Sequence, residues 1–154
     1  MKMSTHAATV HRVEVLPAKQ FGVAWLMLCL ALAIHVTDEA LTNFLAVYNP
    51  TVIAIRSRLP YIPLPTFSFP VWLTGLVVAV VVLFGLSPFV FRGARIMVPL
   101  AYLFGIFMLA NGLQHIGGSI YMHRLMPGVY SAPCLLATSI YLLISARNYR
   151  RKHA

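Results

Sequence analysis

The chain of 154 residues is 60% apolar and only 10% charged, with a net charge of +9 and a mean hydropathy of +0.81. A soluble domain carries about 25% charged residues, so this surface cannot face water everywhere, and the composition excludes a soluble globular protein. The basic residues do not gather into one face, which argues against nucleic acid as a partner; they flank apolar runs, where they set membrane topology.

In chain order, residues 1–19 read as a basic cytoplasmic tail and residues 20–146 as a membrane domain of four helices. The first span covers about 20–47, its helical composition running on past Asp38 and Glu39. Residues 49–69 form an extracytoplasmic Pro-rich loop, with Pro50, Pro60, Pro63 and Pro65 too dense for a continuous helix. Within it, Asn49-Pro50 is placed to cap a short interfacial helix, TVIAIRSRL, and the remainder reads as an extended apolar connector or a cover for the outer mouth of the bundle. The second span, about 70–91, opens with Pro70 at a first helical position. The third covers about 95–117, with Gly117-Gly118 as its expected end, and the fourth about 129–146, before a second basic tail at 147–154. Each can supply the ~20 mostly apolar residues that a membrane helix needs. The fold class is therefore all-α: a polytopic four-helix bundle of the cell membrane.

Nine Lys and Arg residues lie in the two tails and the 92–95 loop, against three, Arg56, Arg58 and Arg124, in the other two loops. The positive-inside rule puts both termini in the cytoplasm. Ala31-Leu32-Ala33 also matches a signal-peptidase pattern, but cleavage there would follow an unusually long basic region and strand His35 and Glu39 in a new N-terminus. Cys29 and Cys134 sit in apolar runs without metal-ligand spacing and read as small hydrophobes.

Two of the three acidic residues are adjacent, in His35-Val36-Thr37-Asp38-Glu39. On a helix His35 and Glu39 share a face at i,i+4, Asp38 lies slightly to the side, and Asn43 extends the ladder. Asn111 and His115 form a second i,i+4 ladder in the third span, with Ser119 a turn later if the helix survives the glycines. Counting ~1.5 Å per residue from Lys19 and from Arg95 puts His35 level with Asn111 at ~24 Å, and Glu39 level with His115 at ~30 Å. Ionisable groups at this depth cost several kcal/mol unless they face each other or water, so both ladders should turn inward to one site. His35 and Glu39 can work as acid and base. With His115 they also make a two-histidine, one-carboxylate set of the kind that binds zinc or iron with open positions. Asp38 or His123 is a further ligand or supporting group. The bland readings stand beside these: a buried structural pair, Asn111 as interhelical glue, His115 in the headgroup zone, a solvated Asp38 and a loop cation at Arg124.

His35-Val36-Thr37-Asp38-Glu39 resembles the motif of the HXXEE family of small bacterial membrane proteins, with Asp38 in place of its first Glu. Asn111-Gly112-Leu113-Gln114-His115 resembles the family's N-x-x-x-H, and Arg124-Leu125-Met126-Pro127-Gly128 its R-x-x-P-G turn. The resemblance covers residues 30–145 and implies a helical membrane domain with a polar centre, no assigned reaction, and His35, Glu39, Asn111, His115, Arg124, Pro127 and Gly128 as site or framework residues. A looser likeness, through His35, Glu39 and Asn111 alone, is to the emopamil-binding family of sterol isomerases. The functional expectation is a membrane-embedded enzyme acting on a lipid or other hydrophobic substrate. In it His35, Glu39, Asn111 and His115 are catalytic, Arg124 binds substrate, and His35, Glu39 and His115 are metal ligands if zinc or iron is present. The alternatives are a transport or accessory subunit, which can be oligomeric, and a structural protein with a buried polar lock.

Overall fold

The computed structural model describes the backbone of residues 3–153 and the side chains of residues 18–152. Among them there are six helices and no strand: α1 (Met3–Leu41), α2 (Leu45–Arg58), α3 (Phe69–Gly85), α4 (Ser87–Phe91), α5 (Met97–Tyr121) and α6 (Ala132–His153). Three stretches are long and apolar enough to cross a membrane: Ala18–Leu41, Phe69–Phe91 and Met97–Tyr121. The chain is thus a multi-pass membrane protein by length and composition. The uncharged part of α6, residues 132–146, falls short of the ~20 residues of a full span, because Arg147 begins a basic run.

α6 packs along both α1 and α5, and α3 and α4 also lie against α1, so α1 is central. Its inward residues, Phe21, Trp25, Leu28 and Leu32, join Met97, Phe104, Leu135 and Leu142 in one core. α5 approaches α6 closely through small residues: a Cβ on Gly112 would lie 2.9 Å from Leu136 Cγ and 3.2 Å from the Ala132 carbonyl. The indole N–H of Trp25 donates to the Leu83 carbonyl at 3.0 Å, just before the chain breaks between α3 and α4 ahead of Pro88.

The first helix does not run on to residue 47. It stops at Leu41, because Asn43 takes a left-handed conformation (φ 59°) and the Phe44 N–H donates back to the Glu39 carbonyl at 3.0 Å. That is a Schellman cap, in which Asn is the usual substitute for Gly; Asn43 is a helix stop and not a rung of the ladder. His123 (φ 50°) ends α5 in the same way, with Arg124 N–H bonded to the Ser119 carbonyl, and Gly93 (φ 70°) ends α4. α5 continues through Gly117-Gly118 to Tyr121. α6, over the segment expected as the fourth span, begins at Ala132, three residues later than the apolar run.

The interfacial helix also differs from expectation. α2 starts at Leu45 with Pro50 inside it, so Asn49 does not cap it. Asn49 instead donates from Nδ2 to the Phe67 carbonyl (2.9 Å) and accepts the Phe67 N–H at Oδ1 (3.1 Å). With the Tyr48 hydroxyl on the Pro65 carbonyl, this ties the extended loop back against α2.

Both ends of the bundle are defined by contacts. At one end Phe21 stacks on Tyr149 at 5.3 Å and the Tyr149 hydroxyl donates to the Gly93 carbonyl at 2.7 Å. This gathers the start of the apolar part of α1, the basic 92–95 loop and the basic end of α6. The polar ladders lie at the opposite end.

Candidate functional site: a buried His-Glu-His cluster

The two ladders meet, rung against rung. Glu39 Oε1 lies 3.1 Å from His115 Nε2 and 3.6 Å from His35 Nε2. The two imidazoles stand edge to face, 4.7 Å between centroids, and Asn111 is beside His35. His35, Glu39 and His115 are 1%, 5% and 2% exposed, so their polar atoms must find partners inside the protein.

The other nitrogen of each ring fixes its proton. His115 Nδ1 is 2.5 Å from the Pro127 carbonyl, which only accepts, so Nδ1 carries the hydrogen. His35 Nδ1 is 2.8 Å from Ser131 Oγ. The Ser131 hydroxyl has its better acceptor in Asp38 Oδ2 at 2.7 Å, a carboxylate, compared with the Gly128 carbonyl at 3.2 Å. Ser131 therefore accepts from His35 Nδ1–H. In the neutral rings both Nε2 atoms are then bare lone pairs aimed at a carboxylate oxygen. His35 Nε2 and Asn111 Oδ1 are among the buried atoms that have no hydrogen-bond partner.

Acceptors that converge without a donor repel one another, and either a proton on one Nε2 or a shared cation removes the conflict. The candidate ligand atoms of His35, Glu39 and His115 all lie within 4.8 Å of one another. Two ligands at about 2.0–2.1 Å from a tetrahedral zinc ion are about 3.3–3.4 Å apart. The observed 3.1 and 3.6 Å bracket that separation. The Nδ1 bonds to a carbonyl and to a carboxylate-linked hydroxyl are the outer partners that orient metal-bound imidazoles. The donor set suits zinc or ferrous iron.

Asp38, only part-buried, is not among the three converging groups. Its Oδ2 also accepts the Ser131 backbone N–H at 2.9 Å, so it caps the start of α6 from a different helix, where the helix dipole favours an anion. His123 is exposed in the turn after α5, outside the cluster, because the left-handed cap turns it away. Arg124 is likewise exposed, and Gln114 points outward.

Pro127 and Gly128 close the site. Gly128 has φ +82°, and a Cβ there would fall 2.9 Å from His115 Cε1 and 3.0 Å from Glu39 Cγ. The Ser119 hydroxyl donates to the His115 carbonyl (2.8 Å) and accepts the Met126 N–H (2.9 Å), and the Gly128 N–H reaches Thr42 Oγ1 at 3.3 Å. Sequence reading missed Ser131 and Thr42. Ser131, directly before Ala132-Pro133, carries the signature of a helix N-cap, which gave no hint that its side chain joins Asp38 to His35.

Helices of membrane-crossing length around a buried two-histidine, one-carboxylate cluster define a polytopic membrane protein with a candidate metal or acid-base centre. The chain belongs to the HXXEE family: the model described as "Protein of unknown function with HXXEE motif" matches residues 25–142. No curated protein and no solved structure matches it, and the looser likeness to the emopamil-binding family is not supported.

Proposed function

We propose that the protein is a membrane-embedded enzyme acting on a lipid or other hydrophobic substrate, with a zinc or iron ion held by His35, Glu39 and His115. The observation that carries this reading is the convergence of two bare Nε2 atoms on Glu39 Oε1, each ring locked through Nδ1. A metal held by two imidazoles and one carboxylate keeps open positions and supplies Lewis acidity toward a water or a carbonyl or phosphoryl oxygen. Asn111, whose Oδ1 is buried and unpartnered, orients the substrate or a water beside His35. Arg124, exposed beside the closing turn, meets an anionic headgroup. Substrate enters when the 126–131 turn lifts. We place α6 as a fourth span, both termini in the cytoplasm and the cluster toward the outer leaflet of the cell membrane. The excess of Lys and Arg in the tails and the 92–95 loop supports this.

A polar lock without turnover is the second reading, favoured by the near-complete burial of the three side chains. A transmembrane proton path is disfavoured, because the only carboxylates among the described side chains, Asp38 and Glu39, are at one end. Elemental analysis of the protein purified in mild detergent separates these readings. The enzyme reading expects roughly one zinc or iron per chain, lost in His35→Ala, Glu39→Ala and His115→Ala. A folded wild-type protein that stays metal-free after incubation with Zn(II) and anaerobic Fe(II) defeats the metal centre.

A further inference from the structure

At the end of the bundle away from the cluster, a recess of about 260 Å³ lies between the start of the apolar part of α1 and the last turns of α6. It is lined by Gln20, Ser145, Asn148, Tyr149, Arg151 and Lys152. Among the described residues the lining is rich in donors (a guanidinium, an ammonium, two carboxamides, two hydroxyls) and holds no carboxylate. Among the described side chains the carboxylates, Asp38 and Glu39, are at the opposite end, so neither neutralises Arg151 or Lys152 here.

Basic residues at a helix C-terminus are common on dipole grounds alone. Ser145 is what they do not account for. It is 2% exposed, and its Oγ has no hydrogen-bond partner. Three other helix hydroxyls fold back on a carbonyl four residues earlier, Ser119 on His115, Thr138 on Cys134 and Ser139 on Leu135, while Ser87 on α4 shares the unpartnered state of Ser145 but lies outside the recess. Ser145 makes no such bond, and it lines the recess. The neighbouring basic group Arg150 is engaged elsewhere, its guanidinium 5.5 Å from the centre of the Tyr102 ring.

We propose that this recess is a binding site for a phosphate-bearing anion, held by Arg151 and Lys152 with the Ser145 hydroxyl bonded to a phosphate oxygen and Gln20 and Asn148 as flanking donors. The group is either the phosphodiester of an anionic lipid or free phosphate; its position at the basic end of apolar helices suits both. The site is separate from the His-Glu-His cluster and does not depend on it.

The test uses the full chain in mild detergent. Binding is followed by native mass spectrometry and by thermal unfolding during titration with phosphatidylglycerol, phosphatidylcholine or inorganic phosphate. Saturable stabilisation by phosphatidylglycerol, at least tenfold weaker in Arg151→Gln/Lys152→Gln and several-fold weaker in Ser145→Ala, supports a lipid headgroup. The same pattern with inorganic phosphate alone supports the free anion. Arg56→Gln/Arg58→Gln, which removes two charges from the end of α2, should leave binding unchanged. Equal weakening in that control, or phosphatidylcholine binding as tightly as phosphatidylglycerol with no response to phosphate, overturns the proposal. So does a folded Ser145→Ala protein that binds like wild type.

Discussion

Gly128→Ala is the sharpest perturbation of the cluster, because one methyl group meets two separate penalties. The first is conformational: φ is +82°, and a left-handed backbone costs a residue with a Cβ about 1–2 kcal/mol. The second is steric. The new carbon would sit 2.9 Å from His115 Cε1 and 3.0 Å from Glu39 Cγ, and neither can retreat easily. His115 is held by the Pro127 carbonyl and Glu39 lies on the central helix. Overpacking of this kind costs about 1–3 kcal/mol, so the sum is a loss of about 2–5 kcal/mol. Gly117→Ala is the internal control. It is the same chemical change eleven positions earlier, inside α5, where an added Cβ meets nothing within 4 Å. Exchange of Gly for Ala in a helix interior gains about 0.5–1 kcal/mol. Equilibrium unfolding in mixed micelles, followed by circular dichroism, should therefore give shifts of opposite sign. A Gly128→Ala protein as stable as wild type would refute the closure of the turn over the cluster.

Three further outcomes follow from named contacts. Ser131→Ala removes the acceptor of His35 Nδ1–H and one bond to Asp38, and should weaken zinc affinity by about 10–100-fold in a folded protein, measured by competition with a chromophoric chelator. An unchanged affinity would mean that Ser131 does not orient the ring. Trp25→Phe keeps most of the core volume but leaves the part-buried Leu83 carbonyl without its donor, and should cost about 1 kcal/mol in the same unfolding assay; no loss would mean that the carbonyl finds another donor. Asn49→Ala deletes both side-chain bonds to Phe67, and should speed proteolytic cleavage within residues 59–68 while leaving metal content untouched. Cleavage at the wild-type rate would show that the loop is held by Tyr48, through its hydroxyl bond to Pro65 and its stacking on Phe67, without Asn49.

By itself the sequence determined that the chain is helical and apolar enough to cross a membrane, and which polar groups stand level with one another along their helices. Low charge and long apolar runs leave a backbone in lipid little choice but to bond within itself. The constant rise of a helix places His35 with Asn111 and Glu39 with His115 once two basic residues mark a common level. The adjacent pair Asp38-Glu39 was legible as one polar centre because each charge in an apolar medium needs a partner. Other features needed the folded chain. Asn43 and His123 looked like rungs and ligands, yet both are left-handed helix stops, a role decided by which backbone carbonyl each turn can reach. Asp38 was separated from Glu39 only by tertiary placement. One carboxylate turns to the start of α6 and the other to the imidazoles, two environments that neighbouring positions on a helix encounter because they point about 100° apart. Ser131 and the Pro127 carbonyl set which ring nitrogens are bare, and they come from the connection into α6, close to His35 and His115 in space alone. Short-range periodicity fixes what a helix presents; which atoms finally meet depends on how distant segments pack, and no local pattern encodes that.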